Sequence, residues 1–282
     1  MDQLLMLNVG HAVHDANWNF RNVNSPFSRI YYVTKGSARL VVNGIVHNLT
    51  PDHLYLIPAF TPHDDICDGP FEHYYVHIYE NDHKGQNLTE ELDFPVEIKG
   101  SQMDLMLFRN LCDHNRSMAL KNCDPKIYDN KHSLIDCVRL NRERPLFERL
   151  ESAGIIYQLL SRFVKYSKPK FQTSDLRIQN AVKSINSTVS DIVRIDELSQ
   201  NAGMSVDHFI RIFKNELGYT PAQFIIEKKM MRARLKIATE MMPIKEIAYS
   251  LGYDDVSYFS RIFKKNVGLT PIQYRRSFNQ NN

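Results

Sequence analysis

The chain has 282 residues, of which 43% are hydrophobic and 24% are charged, and its formal net charge is +3. This composition is typical of a globular protein with room for about two domains. No run approaches the ~18 apolar residues of a membrane span, and no basic, apolar leader opens the chain, so we expect a cytoplasmic protein. The four scattered cysteines predict reduced thiols.

The positive charge lies in the C-terminal part of the chain. Residues 176–282 contain sixteen Lys and Arg against ten Asp and Glu, a net charge of +6, whereas residues 1–175 have a net charge of −3. A basic excess of this kind is expected where a protein meets a polyanion such as nucleic acid.

Residues 1 to about 95 predict β-structure. Short apolar stretches alternate with turn residues, and Asn43-Gly44 between two of them predicts a hairpin with a type I′ turn. Short strands with regular turns indicate a small barrel or sandwich. The predicted strands cover residues 30–33, 38–42, 45–49, 54–57 and 71–79.

Residues 100 to about 165 change to helical periodicity, which predicts a helical hairpin packed on the barrel and a surface for dimerisation. Its apolar residues recur on two faces: Met103, Leu107 and Leu111, and then Leu146, Leu150, Ile156, Leu159 and Leu160. The polar stretch 166–175 predicts a linker between a domain of residues 1–165 and a helical domain of residues 176–282.

The C-terminal part contains an internal repeat. The sequence FIRIFKNELGYTPAQF, which starts at Phe209, returns as FSRIFKKNVGLTPIQY from Phe259, with nine of sixteen positions identical. Each copy predicts a helix, a tight turn and a second helix, so the chain carries two helix-turn-helix units.

Capping residues mark the ends of these helices in both copies. The candidate N-caps are Ser205 and Asp255, and each second helix is expected to end at a glycine, Gly218 or Gly268. A Thr-Pro-x-Gln sequence then predicts the next helix start. The helix that begins near Pro221 is predicted to continue through Met241 and to join the two units rigidly.

The second helix of each unit has the width to enter the DNA major groove. Its apolar residues recur at spacings of three and four and predict a buried face. Arg211 and Arg261 can each present a fork to a guanine edge, and the lysines can neutralise phosphates. The predicted DNA-binding residues are Val206, Asp207, Ile210, Arg211, Lys214, Val256, Ser257, Tyr258, Ser260, Arg261, Lys264 and Lys265.

Residues 176–278 resemble the DNA-binding domain of the AraC/XylS family of transcription regulators, through IDELSQNAGMSVDHFIRIFKNELGYTPAQF and IKEIAYSLGYDDVSYFSRIFKKNVGLTPIQYRR. One departure is Lys229, where the family usually has arginine. The resemblance implies contact with RNA polymerase and base-facing positions within the predicted set: Asp207, Ile210, Arg211, Val256, Ser257, Ser260 and Arg261. Asp207 and Ile210 are unusual base readers, so the first helix is expected to read little sequence or to read it through apolar contact.

The N-terminal half resembles the cupin-like sensing domain of AraC-type regulators. The similarity lies in YYVTKGSARLVVNGIVHNLTPDHLYLIPAFTPHD, where Asp52-His53 replaces the usual Gly-Asp pair. The resemblance implies that this barrel senses a small molecule.

Histidines are frequent in the N-terminal half, but they do not predict a metal site or a cofactor. No HxH pair is present, and His73 and His77 would lie ~13 Å apart along a strand with a rise of ~3.3 Å per residue.

The alternation of His73, Tyr75 and His77 predicts that one strand face lines a pocket for a small polar, sugar-like ligand. The alternative is that this face meets solvent while Val76 and Ile78 fill the core. Further candidate ligand contacts are Trp18, Arg29, Tyr31 and His63.

We therefore expect a multidomain α and β protein: a cupin-like β-barrel with a helical hairpin, and an all-α domain with two helix-turn-helix units joined by a long helix. The expected function is that of a sequence-specific, dimeric transcription activator that binds double-stranded DNA and responds to a ligand. Two alternatives stay open: a ligand-independent regulator controlled by a protein partner or by its own abundance, and a barrel enzyme tethered to DNA. The lack of a metal or reactive-cysteine motif counts against the enzyme.

Overall fold

The computed structural model describes residues 4–80, 88–188 and 193–277. These residues form two compact units. One holds residues 4–80 and 92–168, and the other holds residues 88–91 and 169–277. The division between them falls within the stretch 166–175.

Two antiparallel sheets form the core of the first unit. In chain order the strands are β1 (Leu4–Asp15), β2 (Phe20–Val23), β3 (Ser28–Gly36), β4 (Ala38–Val42), β5 (Ile45–Leu49), β6 (His53–Ile57), β7 (His63–Ile66), β8 (Pro70–Glu80), β9 (Leu92–Asp93), β10 (Glu97–Lys99) and β11 (Lys168–Pro169). One sheet has the order β1-β8-β3-β6-β10, and the other has the order β2-β7-β4-β5.

The strands β4 and β5 form the hairpin that the sequence predicts. Asn43 and Gly44 have φ angles of 51° and 77°, and Val42 lies opposite Ile45. Positive φ at both central residues defines the type I′ turn, whose twist matches that of the flanking strands. The prediction is confirmed.

One hydrophobic cluster combines side chains from both sheets, so the sheets face each other across a shared core, as the predicted cupin-like barrel requires. Its members are Trp18, Tyr31, Val33, Ala38, Leu40, Val42, Leu49, Tyr55, Ile57, Cys67, Phe71 and Tyr75. The core therefore lies between the two sheets, and large aromatic side chains fill much of it.

Helices contact the five-stranded sheet. The helices before residue 170 are α1 (Leu88–Glu91), α2 (Gln102–His114), α3 (Pro125–Tyr128), α4 (Lys131–Glu143) and α5 (Leu146–Val164), of which α1 belongs to the second unit. Helices α2, α4 and α5 contact β1, and α2 also contacts α5. The predicted hairpin corresponds to α2 and α5, with α3 and α4 between them in the chain.

The buried faces of α2 and α5 differ in part from those predicted. Met103, Leu146 and Leu150 are exposed. Met103 lies about 140° around α2 from the buried Phe108, at about 100° per residue, and Leu146 and Leu150 occupy the first turns of α5. The apolar side chains that these helices do bury are Leu105, Phe108, Leu111, Ile155, Ile156, Leu159, Leu160 and Phe163.

The second unit is helical apart from its connections. Its main helices are α6 (Leu176–Thr188), α7 (Ile195–Asn201), α8 (Val206–Leu217), α9 (Pro221–Thr239), α10 (Ile244–Ser250), α11 (Val256–Val267) and α12 (Pro271–Ser277). They enclose two hydrophobic clusters, and α9 supplies side chains to both. Phe224 and Ile225 enter the first cluster, whereas Met230, Ala233 and Ile237 enter the second. Helix α9 therefore joins the two helix-turn-helix units as predicted.

The predicted helix caps are confirmed. The Ser205 hydroxyl accepts from the His208 N–H, and the Asp255 carboxylate accepts from two N–H groups of α11. Gly218 and Gly268 end α8 and α11 with φ angles of 79° and 85°, a conformation that costs glycine little. Helix α9 begins at Pro221 with a Thr220/Gln223 capping box and ends at Thr239. It therefore stops two residues before the predicted end.

Candidate nucleic-acid interface and ligand pocket

Helices α8 and α11 are fixed by pairs of phenylalanines. Phe209 and Phe213 of α8 are fully buried in the first cluster, and Phe259 and Phe263 of α11 are fully buried in the second. The spacing of four residues places each pair on one side of its helix, so the opposite side of each helix faces outward.

The structure exposes nine of the twelve residues predicted to bind DNA. They are Val206, Asp207, Arg211, Lys214, Ser257, Tyr258, Arg261, Lys264 and Lys265. The other three are half-buried. Ile210 follows the buried Phe209 in α8, Val256 packs against the second cluster, and the Ser260 hydroxyl donates to the Val256 carbonyl at 2.8 Å. Ile210, Val256 and Ser260 are therefore less available to a nucleic acid.

The two arginines are available for contact with DNA. Within the described part of the chain, neither Arg211 nor Arg261 forms an ion pair with an acidic side chain. The Arg261 guanidinium lies 6.0 Å from the ring centroid of Tyr258, three residues earlier on the same face of α11. This contact orients the guanidinium along the exposed face of the helix.

Helices α8 and α11 differ in charge. Helix α8 carries Arg211 and Lys214 but also Asp207 and Glu216, so its formal charge is zero. Helix α11 carries three basic residues and no acid, a formal charge of +3. The positive charge of the two helices is therefore concentrated on α11.

The sequence prediction left out an exposed residue in the first turn of α8. His208 lies in the first turn and is exposed, like Tyr258 at the same position of α11. Because the two copies of the repeat are offset by fifty residues, His208 and Tyr258 occupy equivalent positions. Comparison of the two copies could therefore have identified His208 as a candidate.

A pocket of about 230 Å³ opens into the β-barrel. Five of the seven predicted ligand contacts line it: Trp18, Tyr31, His73, Tyr75 and His77. This face of β8 is buried rather than exposed to solvent, because His73 and His77 are each 2% exposed. Val76 and Ile78 on the other face are buried as well.

The other two predicted contacts, Arg29 and His63, lie in the barrel interior but do not line the pocket. Arg29 Nη2 lies 3.5 Å from Asp129 Oδ2, and its guanidinium lies 4.7 Å from the ring centroid of Phe27. Asp129 also accepts a hydrogen bond from the Ser25 hydroxyl. His63 Nδ1 lies 2.9 Å from the Thr61 carbonyl.

Aromatic rings form the pocket wall. The His73 ring lies 5.3 Å from Trp18, 4.9 Å from Tyr31 and 5.4 Å from His14, measured between ring centroids. His77 lies 5.2 Å from Tyr128 of α3. These rings pack against one another, and their remaining edges and faces are available for contact with a ligand.

Burial sets the protonation of these groups. It holds the pKa of His73 and of His77 well below the usual value, and it lowers the pKa of His63 to about 3, so all three are neutral at pH 7. Burial raises the pKa of Asp65 to about 7 and that of Asp129 to about 6, although Arg29 opposes both shifts. We take Asp129 to be ionised because it pairs with Arg29.

Two family models match the chain in these regions. The AraC-like ligand binding domain matches residues 8–82, which include the strands around the pocket. The helix-turn-helix domain matches residues 198–277, which include both copies of the repeat.

The chain belongs to the AraC family of transcription regulators. It is 25% identical over 128 residues to the lactose operon transcription activator of Staphylococcus xylosus, which is 45% of this chain and 46% of that protein. The match therefore spans about half of that relative. The chain is also 19% identical over 270 residues to the HTH-type transcriptional regulator YdiP of Escherichia coli, which is 95% of this chain and 82% of that protein.

Among solved structures, this AraC-family chain is similar to ToxT of Vibrio cholerae in a crystal structure with bound unsaturated fatty acid. The identity is 17%, with 98% of this chain and 95% of that chain covered, and the TM-score is 0.44.

The structure adds pocket residues that the sequence prediction missed. They are His11, Ala12, Val13, His14, Asn17, Leu120, Lys121, Asn122, Cys123 and Tyr128. The histidine-rich segment before Trp18 offered a signal for the first five. No sequence signal pointed to residues 120–128, because only the fold brings this segment to the barrel. The described residues include no group of three or more His, Cys, Asp or Glu that could hold a metal ion.

Proposed function

We propose that this AraC-family chain is an effector-responsive activator of transcription. The observation that carries the proposal is that one chain has both the exposed helices α8 and α11 and a polar pocket of about 230 Å³ in the barrel. We call α8 and α11 the recognition helices. A barrel filled with apolar side chains would have favoured the ligand-independent regulator. The pocket supports a small polar effector instead, which acts by binding more tightly to one arrangement of the protein than to another.

In this proposal α8 and α11 each enter a segment of the major groove. Arg211 and Arg261 read base edges, because an arginine fork can donate two hydrogen bonds to guanine. Lys214, Lys264 and Lys265 neutralise phosphates, and Tyr258 positions Arg261. The two segments lie about 34 Å apart, one helical turn of DNA.

The proposal includes a homodimer. Leu146, Phe147 and Leu150 are exposed apolar side chains in the first turns of α5, at 58%, 69% and 45% exposure. Exposed apolar groups that lie together mark interaction surfaces. Replacement of Phe147 and Leu150 by Gln should shift the sedimentation coefficient from that of a dimer to that of a monomer.

The remaining parts of the proposal are a cytoplasmic location, contact with RNA polymerase and the absence of catalysis. The curated relatives are transcriptional regulators rather than enzymes. None of the helices in the described residues has the length and apolar character needed to cross a membrane.

Selection of bound sequences from a pool of random DNA duplexes tests the DNA-binding part. The full chain should enrich a sequence with two conserved segments one helical turn apart, and footprinting should show two protected patches on one face of the duplex. An Arg211→Ala/Arg261→Ala variant changes only exposed side chains and retains the lysines. It is the control and should enrich nothing. Failure of the unaltered chain to enrich any sequence would refute the proposal.

A further inference from the structure

We propose that the barrel pocket binds a compact anion, whose carboxylate or phosphate oxygens are held by Lys121 and by the buried histidines of β8. The proposal rests on the effector-responsive function above and specifies the charge of the effector. The sequence predicts a small polar, sugar-like ligand and leaves its charge open.

The charge of the pocket lining favours an anion. Within the described residues, the lining contains Lys121 and four histidines but no Asp or Glu. Lys121 is exposed at the edge of the pocket and forms no ion pair in the described part of the chain. Attraction between an ammonium group and an anion is stronger in such a partly enclosed site than in bulk water.

Three nitrogens of these histidines have no hydrogen-bond partner among the described residues. They are His14 Nε2, His73 Nδ1 and His77 Nδ1, and the three residues are 4%, 2% and 2% exposed. A buried polar atom without a partner costs roughly 1–3 kcal/mol. A ligand oxygen that accepts a hydrogen bond from a protonated imidazole removes this cost.

Tyr75 adds a further donor. Its hydroxyl oxygen accepts a hydrogen bond from the Leu120 N–H at 2.8 Å, so its own hydrogen remains to be donated. Burial raises the pKa of Tyr75 to about 12, and the hydroxyl therefore stays protonated at neutral pH. An anionic oxygen is a stronger acceptor for this hydrogen than a neutral one.

Two buried carboxylates lie near the pocket without lining it. Asp129 pairs with Arg29, which offsets its negative charge. Asp65 is close enough to Tyr31 for its charge to contribute to the raised pKa of that phenol, after burial. Because Asp65 would attract a cation, a cationic probe belongs in the test.

The pocket volume limits the size of the anion. The pocket volume is about 230 Å³. Pockets for drug-sized ligands measure about 300–1,000 Å³. The ligand is therefore a single ring or a short chain, and the rings of Trp18 and Tyr31 suit a flat one.

Binding of the anion should be coupled to proton uptake. His73 and His77 are neutral in the free protein because burial disfavours the imidazolium, and a bound anion favours it. Affinity should therefore rise as pH falls, by up to about tenfold per pH unit for each proton taken up. The groups that face the two histidines are His11 and His14 of β1, Arg29 and Tyr31 of β3, His63 of β7, Tyr75 of β8 and Tyr128 of α3. Arg29, which carries a permanent charge, opposes protonation of His77, whereas only titratable imidazoles, those of His14 and His11, oppose protonation of His73, so His73 is the main site of uptake.

Calorimetric titration of the full chain tests the charge preference. The anions are benzoate, galacturonate and inorganic phosphate, the neutral counterparts are benzamide and galactose, and the cation is benzylamine. Trp18 is the only tryptophan in the chain and lines the pocket, so its fluorescence shows whether a probe binds there. At about pH 6 we expect at least one anion to bind tenfold or more tightly than its neutral counterpart, with a smaller preference at about pH 8. Comparison of the affinity for phosphate with the affinities for benzoate and galacturonate shows whether the pocket prefers phosphate or carboxylate oxygens.

Two variants separate the contribution of Lys121 to anion binding from that of His73. Lys121→Gln should weaken anion binding about tenfold and leave the neutral probes unchanged, as expected for loss of one charge contact. Lys126→Gln is the matched control, because Lys126 is exposed and does not line the pocket. His73→Asn should remove most of the pH dependence. If His73→Asn fails to fold, the comparison of Lys121→Gln with Lys126→Gln still tests the anion proposal.

Equal or tighter binding of the neutral probes would overturn the anion proposal and leave the effector-responsive function intact. A preference for benzylamine would overturn it in favour of Asp65 as the anchor. No change in Trp18 fluorescence with any of the three anions would also overturn it. The effector-responsive function fails by a different result, in which a ligand bound in the pocket leaves the affinity for the selected DNA unchanged.

Discussion

The Tyr75 hydroxyl accepts a hydrogen bond from the Leu120 backbone N–H at 2.8 Å, and this contact joins the centre of β8 to the segment before α3. The three residues after Leu120 also line the pocket. Gly10 on the neighbouring β1 leaves room for the phenol, because a Cβ at that position would lie 2.6 Å from the Tyr75 oxygen. One side chain thus positions two walls of the pocket.

Tyr75→Phe should weaken ligand binding and lower the free energy of unfolding of the barrel. The ring remains, but the Leu120 N–H loses its acceptor, which costs roughly 1–2 kcal/mol. Urea unfolding followed by Trp18 fluorescence measures the stability, and calorimetry measures the affinity. Tyr74→Phe, on the opposite face of β8, is the control. Unchanged binding and stability in Tyr75→Phe would show that the hydrogen bond does not position the pocket.

The barrel should lose stability in acid through His63. Its folded pKa of about 3 lies below the unfolded value of 6.5, so its contribution is full above pH 6.5 and is lost as pH falls towards 3. Each pH unit in this window costs about 1.4 kcal/mol. Asp65 acts in the opposite direction, because its pKa is raised to about 7 and its contribution is gained as pH falls.

His63→Asn keeps an N–H near the Thr61 carbonyl and isolates the histidine's share of this dependence. Between about pH 6.5 and pH 5, the variant should lose roughly 2 kcal/mol less unfolding free energy than the unaltered chain. Asp65 is present in both proteins, so its effect cancels in the difference. His132→Gln, at an exposed position of α4, is the control. Parallel pH profiles for His63→Asn and the unaltered chain would contradict the assignment.

The sequence predicted the parts of the fold that depend on neighbouring residues. The Asn43-Gly44 turn and the caps at Ser205, Thr220 and Asp255 each rest on contacts within a few positions of the chain. The exposed faces of α8 and α11 followed from helical periodicity for the same reason. Repetition of the pattern in a second copy made these predictions stronger.

The parts that depend on distant contacts could not be predicted. Lys121 and Tyr128 reach the pocket only because their segment meets a strand about fifty residues earlier in the chain, through bonds such as Leu120 to Tyr75. Arg29 was predicted to contact the ligand, yet it pairs with Asp129, one hundred residues later. Helical periodicity likewise did not determine which face of α2 meets the sheet.

Arg261→Ala should weaken specific DNA binding by about 1–3 kcal/mol and leave non-specific binding nearly unchanged, because a two-pronged base contact is lost. Lys264→Ala is the contrasting variant and should weaken both kinds of binding equally. Competition titrations with selected and random duplexes give the ratio. An unchanged ratio in Arg261→Ala would exclude this residue as a base reader.

Lys265→Asn converts a position of α11 to the residue that α8 has there, Asn215. It should reduce the slope of log affinity against log salt concentration by about 0.9, the value for one phosphate contact on duplex DNA. The reciprocal change, Asn215→Lys, should increase the slope by a similar amount if α8 also lies against the backbone. Affinities measured over a series of salt concentrations supply both slopes. An unaltered slope in Lys265→Asn would mean that this lysine does not contact phosphate.

Asp207→Ser gives α8 the residue that α11 has at the same position, Ser257. The change removes a negative charge from the exposed first turn of α8 and should raise non-specific DNA affinity, because that turn enters the major groove of a polyanion in a helix-turn-helix complex. It also removes an acid from the helix N-terminus, where it stabilises the helix by about 0.3–1 kcal/mol. We therefore expect tighter binding to random DNA together with slightly lower stability of the first unit of the repeat.

Fluorescence anisotropy with a random duplex and chemical unfolding followed by circular dichroism measure the two effects. If Asp207 instead accepts a hydrogen bond from a cytosine amine, the variant will lose affinity for the selected sequence while its non-specific affinity rises. A loss of affinity for random DNA would show that Asp207 supports the recognition helix more than it repels the phosphates.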